Sequence, residues 1–408
     1  MRSRFVVLLA GSIVLGTVTG MAQDWPQWRG PNRDGVTTFA EPQAWPEQLT
    51  QRWKVEVGPG YATPLLVGNR IYMFARQGTN EVMRALDAAS GKVLWETGYP
   101  AAFEMHRAAA RHGAGPKATP AFANGRLYAI GMTGTVTAYD AASGKQLWQK
   151  AGNPALVPMY TSHSFSPVVD GGVVIFHVGG HDSGALTAYD VNSGSVRWSW
   201  TGDGPGYGSP VVATLGGTRQ VITITQGKVV GLDVASGALL WERPYASANF
   251  VNSMTPTVAG QTVIVSGGPG PTVAFTAARQ NGQWTTTTVW ENADAPMRMS
   301  NPVVVGNALF GLANRNMGQY VAVDVASGRT LWSSEGRQAG NAAIARAGSV
   351  VLSLEDDGEL VVFRNAAATF EPVRRYRVAE SETWTQPAVS GNRIFVKDVT
   401  TLALWTLD

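Results

Sequence analysis

The chain has 408 residues, Lys+Arg 32 against Asp+Glu 29, 44% hydrophobic and 15% charged residues, and no cysteine. Lack of cysteine excludes structural disulfides, thiolate-ligated zinc or iron–sulfur centres, a thiol nucleophile and a lipid attached through cysteine. The formal charge of +3 falls to +1 without Arg2 and Arg4, so nothing electrostatic argues for nucleic acid or anionic lipid.

In chain order, Arg2 and Arg4 precede an apolar run from Phe5 to Val18, the length of a signal-peptide core and shorter than the roughly 20 residues a spanning helix needs. Gly20 and Ala22 are small residues where a signal peptidase reads. Residues 1–22 are therefore expected to be a cleaved leader, and the protein an exported one, periplasmic or secreted, without a transmembrane segment. Residues 23–49 carry Trp25, Trp28 and Trp45 among Pro and Gly; too irregular for a repeat, they are expected to run as an extended segment along the wall of the domain formed by the rest of the chain.

From residue 50 the chain repeats. LDAASGKVLW (86–95), YDAASGKQLW (139–148), YDVNSGSVRW (189–198), LDVASGALLW (232–241) and VDVASGRTLW (323–332) share Asp-x-x-Ser-Gly-x-x-x-Trp. Glycine turns ahead of β-branched runs recur at Gly68, Gly125, Gly171, Gly216, Gly260, Gly306, Gly348 and Gly391, 42 to 57 residues apart. A small residue before proline recurs at Pro64, Pro120, Pro167, Pro210, Pro256, Pro302 and Pro387 and is missing only from the seventh unit. Three markers in one register give eight units of four short strands, an all-β, eight-bladed β-propeller over residues 50–408. The fifth copy (Phe275 to Trp290) and the seventh, with Tyr376 at the Trp position, are degenerate and are expected to be the loosest. The last unit stops after its third strand, and Gln51-Arg52-Trp53-Lys54-Val55 is expected to supply its fourth strand and close the ring. The periodic Trp reads as packing between neighbouring blades, with Gly admitting it and Asp binding turn amides.

Register also predicts a ring of residues at one channel mouth, just ahead of the proline marker: Tyr61, Lys117, His163 with Ser164, Tyr207, Asn252 with Ser253, Arg298 with Met299, Asn341 and Trp384. These are the candidate binding residues, a mixed aromatic and cationic lining of the kind small-molecule sites use, or simply a wet channel mouth. Phe103 to His112, between the first two blades, has helical composition and ends at Gly113, predicting a turn or two of helix on the same face. His177 and His181 lie four apart across Gly179-Gly180 and read as structural, because no third ligand is in register; no metal site is expected. Glu355-Asp356-Asp357-Gly358-Glu359 reads as a solvated turn in blade seven.

The motif Ala-x-Asp-x-x-x-Gly-x-x-x-Trp, present as Ala85/Asp87/Gly91/Trp95, Ala138/Asp140/Gly144/Trp148, Ala188/Asp190/Gly194/Trp198 and Ala322/Asp324/Gly328/Trp332, resembles the tryptophan-docking motif of quinoprotein-type propellers. The chain is thereby similar to the PQQ-binding-like β-propeller repeat proteins, a group that includes the outer-membrane assembly factor BamB and shares its fold with PQQ-dependent alcohol dehydrogenases. That resemblance implies two functions. One is a non-catalytic binding or assembly scaffold of the cell envelope, a monomer meeting an envelope protein or small ligand on its ring face. The other is a PQQ- and calcium-dependent dehydrogenase with the quinone at the channel mouth. The family's dehydrogenases place a disulfide between adjacent cysteines against the quinone and hold calcium on side-chain oxygens; this chain has no cysteine and no acidic cluster that matches, so the scaffold is the leading expectation.

Overall fold

The computed structural model describes residues 23–158, 160–245, 252–267 and 270–408. The leader and its cleavage site fall outside these residues. Eight antiparallel sheets follow one another along the chain, each a four-stranded blade. Blade one shows the pattern: Leu65–Val67, Arg70–Gln77, Asn80–Asp87 and Val93–Pro100, from the channel outward. Its second strand is buried at all but its ends, whereas the fourth alternates between exposed and half-buried positions. This pattern comes from face-to-face stacking of the blades: inner strands are covered on both faces and read as continuous apolar runs, and only the outermost strand keeps a solvent face.

The repeated Trp joins each blade to the next. The indole Nε1 of Trp95 donates to Ala141 O at 3.2 Å, that of Trp148 to Val191 O at 3.2 Å and that of Trp198 to Val234 O at 2.9 Å. The ring rests on the glycine of the following turn: a Cβ on Gly194, whose φ is +66°, would lie 2.6 Å from the Trp148 ring. In the same turns the Asp carboxylate gathers the amide and hydroxyl of Ser, at 2.8 and 2.6 Å for Asp140 and Ser143.

The ring closes as the sequence predicts. Thr50–Glu56 pairs antiparallel with Thr401–Thr406, Lys54 opposite Ala403, as the fourth strand of blade eight. Trp53 then docks on blade one, Nε1 to Ala88 O at 3.2 Å, so the join resembles the other interfaces.

The degenerate blades keep buried cores, although the innermost strand of blade five, Thr257–Ala259, is only half-buried throughout. Phe275 and Trp290 in blade five, and Leu360, Phe363 and Tyr376 in blade seven, are all buried. Compensation is local: Trp241, facing a turn without the motif, donates to Gln220 Oε1 within its own blade at 2.6 Å, and the Tyr376 hydroxyl donates to Pro46 O at 2.7 Å.

A belt of hydrogen bonds explains the residue before proline. The amide of Thr63 donates to Thr119 Oγ1, Thr119 to Ser166 Oγ, Ser166 to Ser209 Oγ, Ser209 to Thr255 Oγ1 and Thr255 to Asn301 Oδ1; the amide of Gln386 donates to Thr63 Oγ1. In six of the eight blades the residue ahead of the innermost strand thus gives its N–H to a side chain of the next blade, which requires a side chain with an acceptor oxygen at that position. In blade seven the Ala342 amide donates instead to Ser300 Oγ of blade six at 3.0 Å.

The segment before the ring does not keep to the wall. Only Phe39 to Leu49 does so, with Trp45 and Leu49 packed beside Tyr376, Val378 and Val389. Residues 23–37 occupy the central channel. Trp25 exchanges two backbone hydrogen bonds with Leu66, and Val36–Thr37 adds a parallel strand to the inner edge of blade seven. That edge is Ala342–Ala347, six residues long where most other innermost strands have three, because this unit lacks the proline that shortens them. The reason for the departure is the unsatisfied backbone that a ring of edge strands turns toward its axis, which the segment pairs.

Candidate functional site

Above this occupied channel lies a cavity of about 630 Å³. Six of the eight residues singled out from register line it: Tyr61, Lys117, Tyr207, Arg298, Asn341 and Trp384, with Ser164, Ser253 and Met299 beside them. His163 and Asn252 do not. Both are fully buried: His163 Nδ1 meets Ser162 Oγ at 3.2 Å, and the Asn252 amide nitrogen donates to the carbonyls of Thr225, Gln226 and Tyr245 at 2.8 to 3.1 Å. The residue three before the proline faces the cavity in every unit that has one, whereas the residue four before it turns inward at His163 and Asn252, as alternation along an extended chain would have it, but lines the cavity at Arg298.

Two features that register did not supply complete the basin. Its floor is Trp28 and Arg29 from the channel segment. The Trp28 indole donates to Thr255 Oγ1 at 3.0 Å, and the Arg29 guanidinium to Asn301 O at 3.1 Å and to Pro302 O. Its lid is the insertion between blades one and two, which forms the expected turn or two of helix, as a 3-10 helix at Arg107–His112, with Ala108, Ala109, Arg111 and His112 over the cavity.

Lys117 holds the lid. It is 7% exposed, and its ammonium donates to His112 O at 2.6 Å and Gly113 O at 2.9 Å while sitting 4.0 Å from the centre of the Tyr61 ring. Burial, then Lys397 and Arg76, pull its pKa down to about 7. Arg76 ties both stems of the same loop, to Ala101 O at 2.9 Å and Ala114 O at 2.7 Å. The Tyr61 hydroxyl meets His112 Nδ1 at 3.0 Å, and its ring stacks on Trp384 at 6.0 Å with a 26° tilt. Burial pushes Tyr61 up to about 12 and lowers His112. Arg111 lies 6.0 Å over Trp384, whose indole donates to the rim residue Glu382 at 2.8 Å.

The remaining candidates have structural partners. His177 Nε2 meets Asp203 O at 3.3 Å and His181 Nδ1 meets Pro205 O at 2.9 Å. Burial pushes His163 and His177 down to about 3 and 4, leaving both rings neutral at pH 7. The acidic turn of blade seven is less solvated than its composition suggests. Glu355 is buried, accepts from the Tyr320 hydroxyl at 2.7 Å, and shares Arg375 with Glu359 at 3.1 and 3.0 Å. Burial raises its pKa to about 7.

Comparison with known proteins gives the geometry its setting. The family model described as outer membrane protein assembly factor BamB matches residues 78–334. The BamB of Yersinia pestis is 28% identical over 237 residues, covering 53% of this chain and 56% of that protein, so the chain spans about half the length of such a relative. Among solved structures, BamB from Moraxella catarrhalis superposes with a TM-score of 0.62 at 17% identity, over 88% of this chain and 97% of that one. Quinohemoprotein alcohol dehydrogenase from Comamonas testosteroni gives 0.65 at 15% identity, over 94% and 80%. At such identities the structural likeness concerns the fold.

Proposed function

The chain belongs to the family described as outer membrane protein assembly factor BamB, and from that premise we propose that it is an exported, non-catalytic scaffold that binds an envelope protein through the basin face. The observation that carries this reading is the composition of the basin. Arg29, Arg111, Lys117 and Arg298 line it with Trp28, Tyr61, Tyr160, Tyr207 and Trp384, and no carboxylate is among the described lining residues. Aromatic and arginine side chains with few acids are what protein interfaces concentrate at their cores. Met299 on the rim and Met317 on a neighbouring loop, 39% and 67% exposed, add adaptable apolar surface. Among the described residues no helix is long and apolar enough to cross a membrane.

The second reading, a quinone dehydrogenase, draws on the Tyr61–Trp384 stack and the cations, which suit a flat anion. Its calcium does not fit. A hard cation needs several oxygen ligands, usually with carboxylates among them, and the described lining offers none of the latter, while the Arg29 guanidinium and the Lys117 ammonium approach the cavity from below and from the lid side.

A photo-crosslinking residue at Met299, compared with one at Ser90 in a turn on the far face, tests the scaffold in the native envelope. The expected result is a discrete crosslink from the rim alone, to an outer-membrane assembly protein, lost when Arg298→Glu is added. Equal labelling from both faces, or a rim crosslink indifferent to Arg298→Glu, would contradict it.

A further inference from the structure

We propose that the propeller channel is a peptide-binding site whose resident occupant is residues 23–37, seated as a separable ligand seats and not as a continuation of any blade. The segment bonds to seven of the eight blades. Gly68 donates to Asp24 Oδ1 at 2.8 Å and Leu66 pairs with Trp25 in blade one; Phe122 in blade two donates to Pro26 O at 2.8 Å. Arg33 reaches Pro167 O at 2.8 Å and Ser166 O at 3.0 Å in blade three, Trp28 reaches Thr255 in blade five, and Arg29 reaches Asn301 and Pro302 in blade six. Arg346 in blade seven donates to Gly35 O at 2.8 Å, and in blade eight Thr37 Oγ1 donates to Val389 O at 3.1 Å and Ser390 Oγ to Gln23 O at 2.6 Å.

The chemistry of recognition is specific. A ring of innermost strands points carbonyl groups at the axis, and a guanidinium answers several carbonyls at once because its five donors are fixed in one plane. Arg29 and Arg33 are both buried, and across the channel they donate to carbonyl oxygens of blades six and three. Desolvation lowers them to about 10 and 9, Arg29 adding to the effect on Arg33, so both stay charged at pH 7 and carbonyl dipoles hold them. Trp25, with no exposed surface, pairs with Leu66, two residues past the proline level at which both arginines bond, and belongs to one buried cluster with Leu66, Ile71, Ala345 and Ala388. The segment is not extended throughout: Gly30 donates to Gln27 O, Arg33 to Gly30 O and Gly35 to Arg29 O, with positive φ at Arg29 and Arg33. The ligand class is thus a short peptide coiled through successive turns that presents tryptophan and two arginines with the spacing Trp25, Arg29, Arg33, and the same segment can be supplied in trans.

The test uses the whole chain with a protease site placed in the exposed stretch Gln43-Ala44 and cut after folding. The freed piece is expected to co-elute with the ring, and a fluorescent synthetic peptide of residues 23–39 to exchange into it one to one. A peptide carrying Arg29→Lys and Arg33→Lys, which keeps charge and loses the fork, should compete roughly tenfold or more less well. Immediate loss of the cut piece with no uptake of labelled peptide, or equal competition by the lysine peptide, would overturn the proposal. Should cutting unfold the ring, hydrogen exchange on the uncut chain decides. With Arg29→Lys and Arg33→Lys, exchange at the Phe122 and Arg346 amides should accelerate at least roughly tenfold, while Tyr72 and Tyr128 keep their wild-type rates. Unchanged exchange at Phe122 and Arg346 would overturn it equally.

Discussion

Gly194 and Gly171 both have positive φ, yet they carry different loads. A Cβ on Gly194 meets the Trp148 ring at 2.6 Å, whereas one on Gly171 meets nothing within 4 Å. Gly171→Ala should therefore cost about 1 kcal/mol of backbone strain, and Gly194→Ala that amount plus about 1–3 kcal/mol of overpacking; equal losses in chemical denaturation would contradict the docking geometry. Lys117 makes a pH prediction. Unfolded, it keeps its proton to about 10.5; folded, burial and the neighbouring cations lower that to about 7. Between these values the unfolded chain binds more protons, so this group makes stability rise as pH increases. Wild type should gain about 1–2 kcal/mol relative to Lys117→Met between pH 6.5 and 8.5, and parallel pH profiles for the two would refute it. Lys117 is visible in the sequence as a ring member because the proline marker fixes its register. His163 and Asn252 are not separable from Ser164 and Ser253 by that marker, and only the alternation of an extended strand tells which of the two faces the axis.

Strands and turns repeat, and repetition makes them readable: the blade count, the closing strand and the Trp–Gly contact all come from markers that recur at fixed offsets. What does not repeat is not readable. The channel segment binds backbone groups, which carry no sequence signature on the receiving side, so its tryptophans look like wall residues. The belt is half visible, since the small residue before proline stands out in the sequence without its reason. That reason is testable. Thr119→Val should strand the buried Thr63 amide and cost about 1–3 kcal/mol, with Thr119→Ser recovering most of it; a Val variant as stable as wild type would show that the belt contributes nothing net. The lid makes a separate prediction at this scale. Because Arg76 ties Ala101 and Ala114, Arg76→Met should speed hydrogen exchange across residues 101–116 and leave the neighbouring strands Arg126–Ile130 and Val136–Asp140 protected. Protection unchanged in the loop would place its anchor elsewhere.

At the scale of the whole molecule, one closed ring carries two additions from the same early stretch of chain, a fourth strand for blade eight and an occupant for the channel. Removing residues 23–57 takes both away and should lower the melting temperature sharply, with aggregation through the exposed strand edges; a truncated ring melting within a few degrees of full length, on the order of 1–2 kcal/mol, would contradict closure. The same architecture shapes function, because a channel filled from below leaves a basin open on one face, cationic and aromatic, without carboxylates among its described lining residues. Isothermal titration of the purified protein with PQQ, with and without calcium and at low and high salt, is the sharpest test of a basin built for a protein partner and not for a quinone. Weak binding or none is expected, indifferent to calcium and fading with salt as a charge attraction does. A calcium-dependent, salt-resistant, one-to-one complex tighter than about 1 μM, roughly −8 kcal/mol, would overturn the scaffold reading.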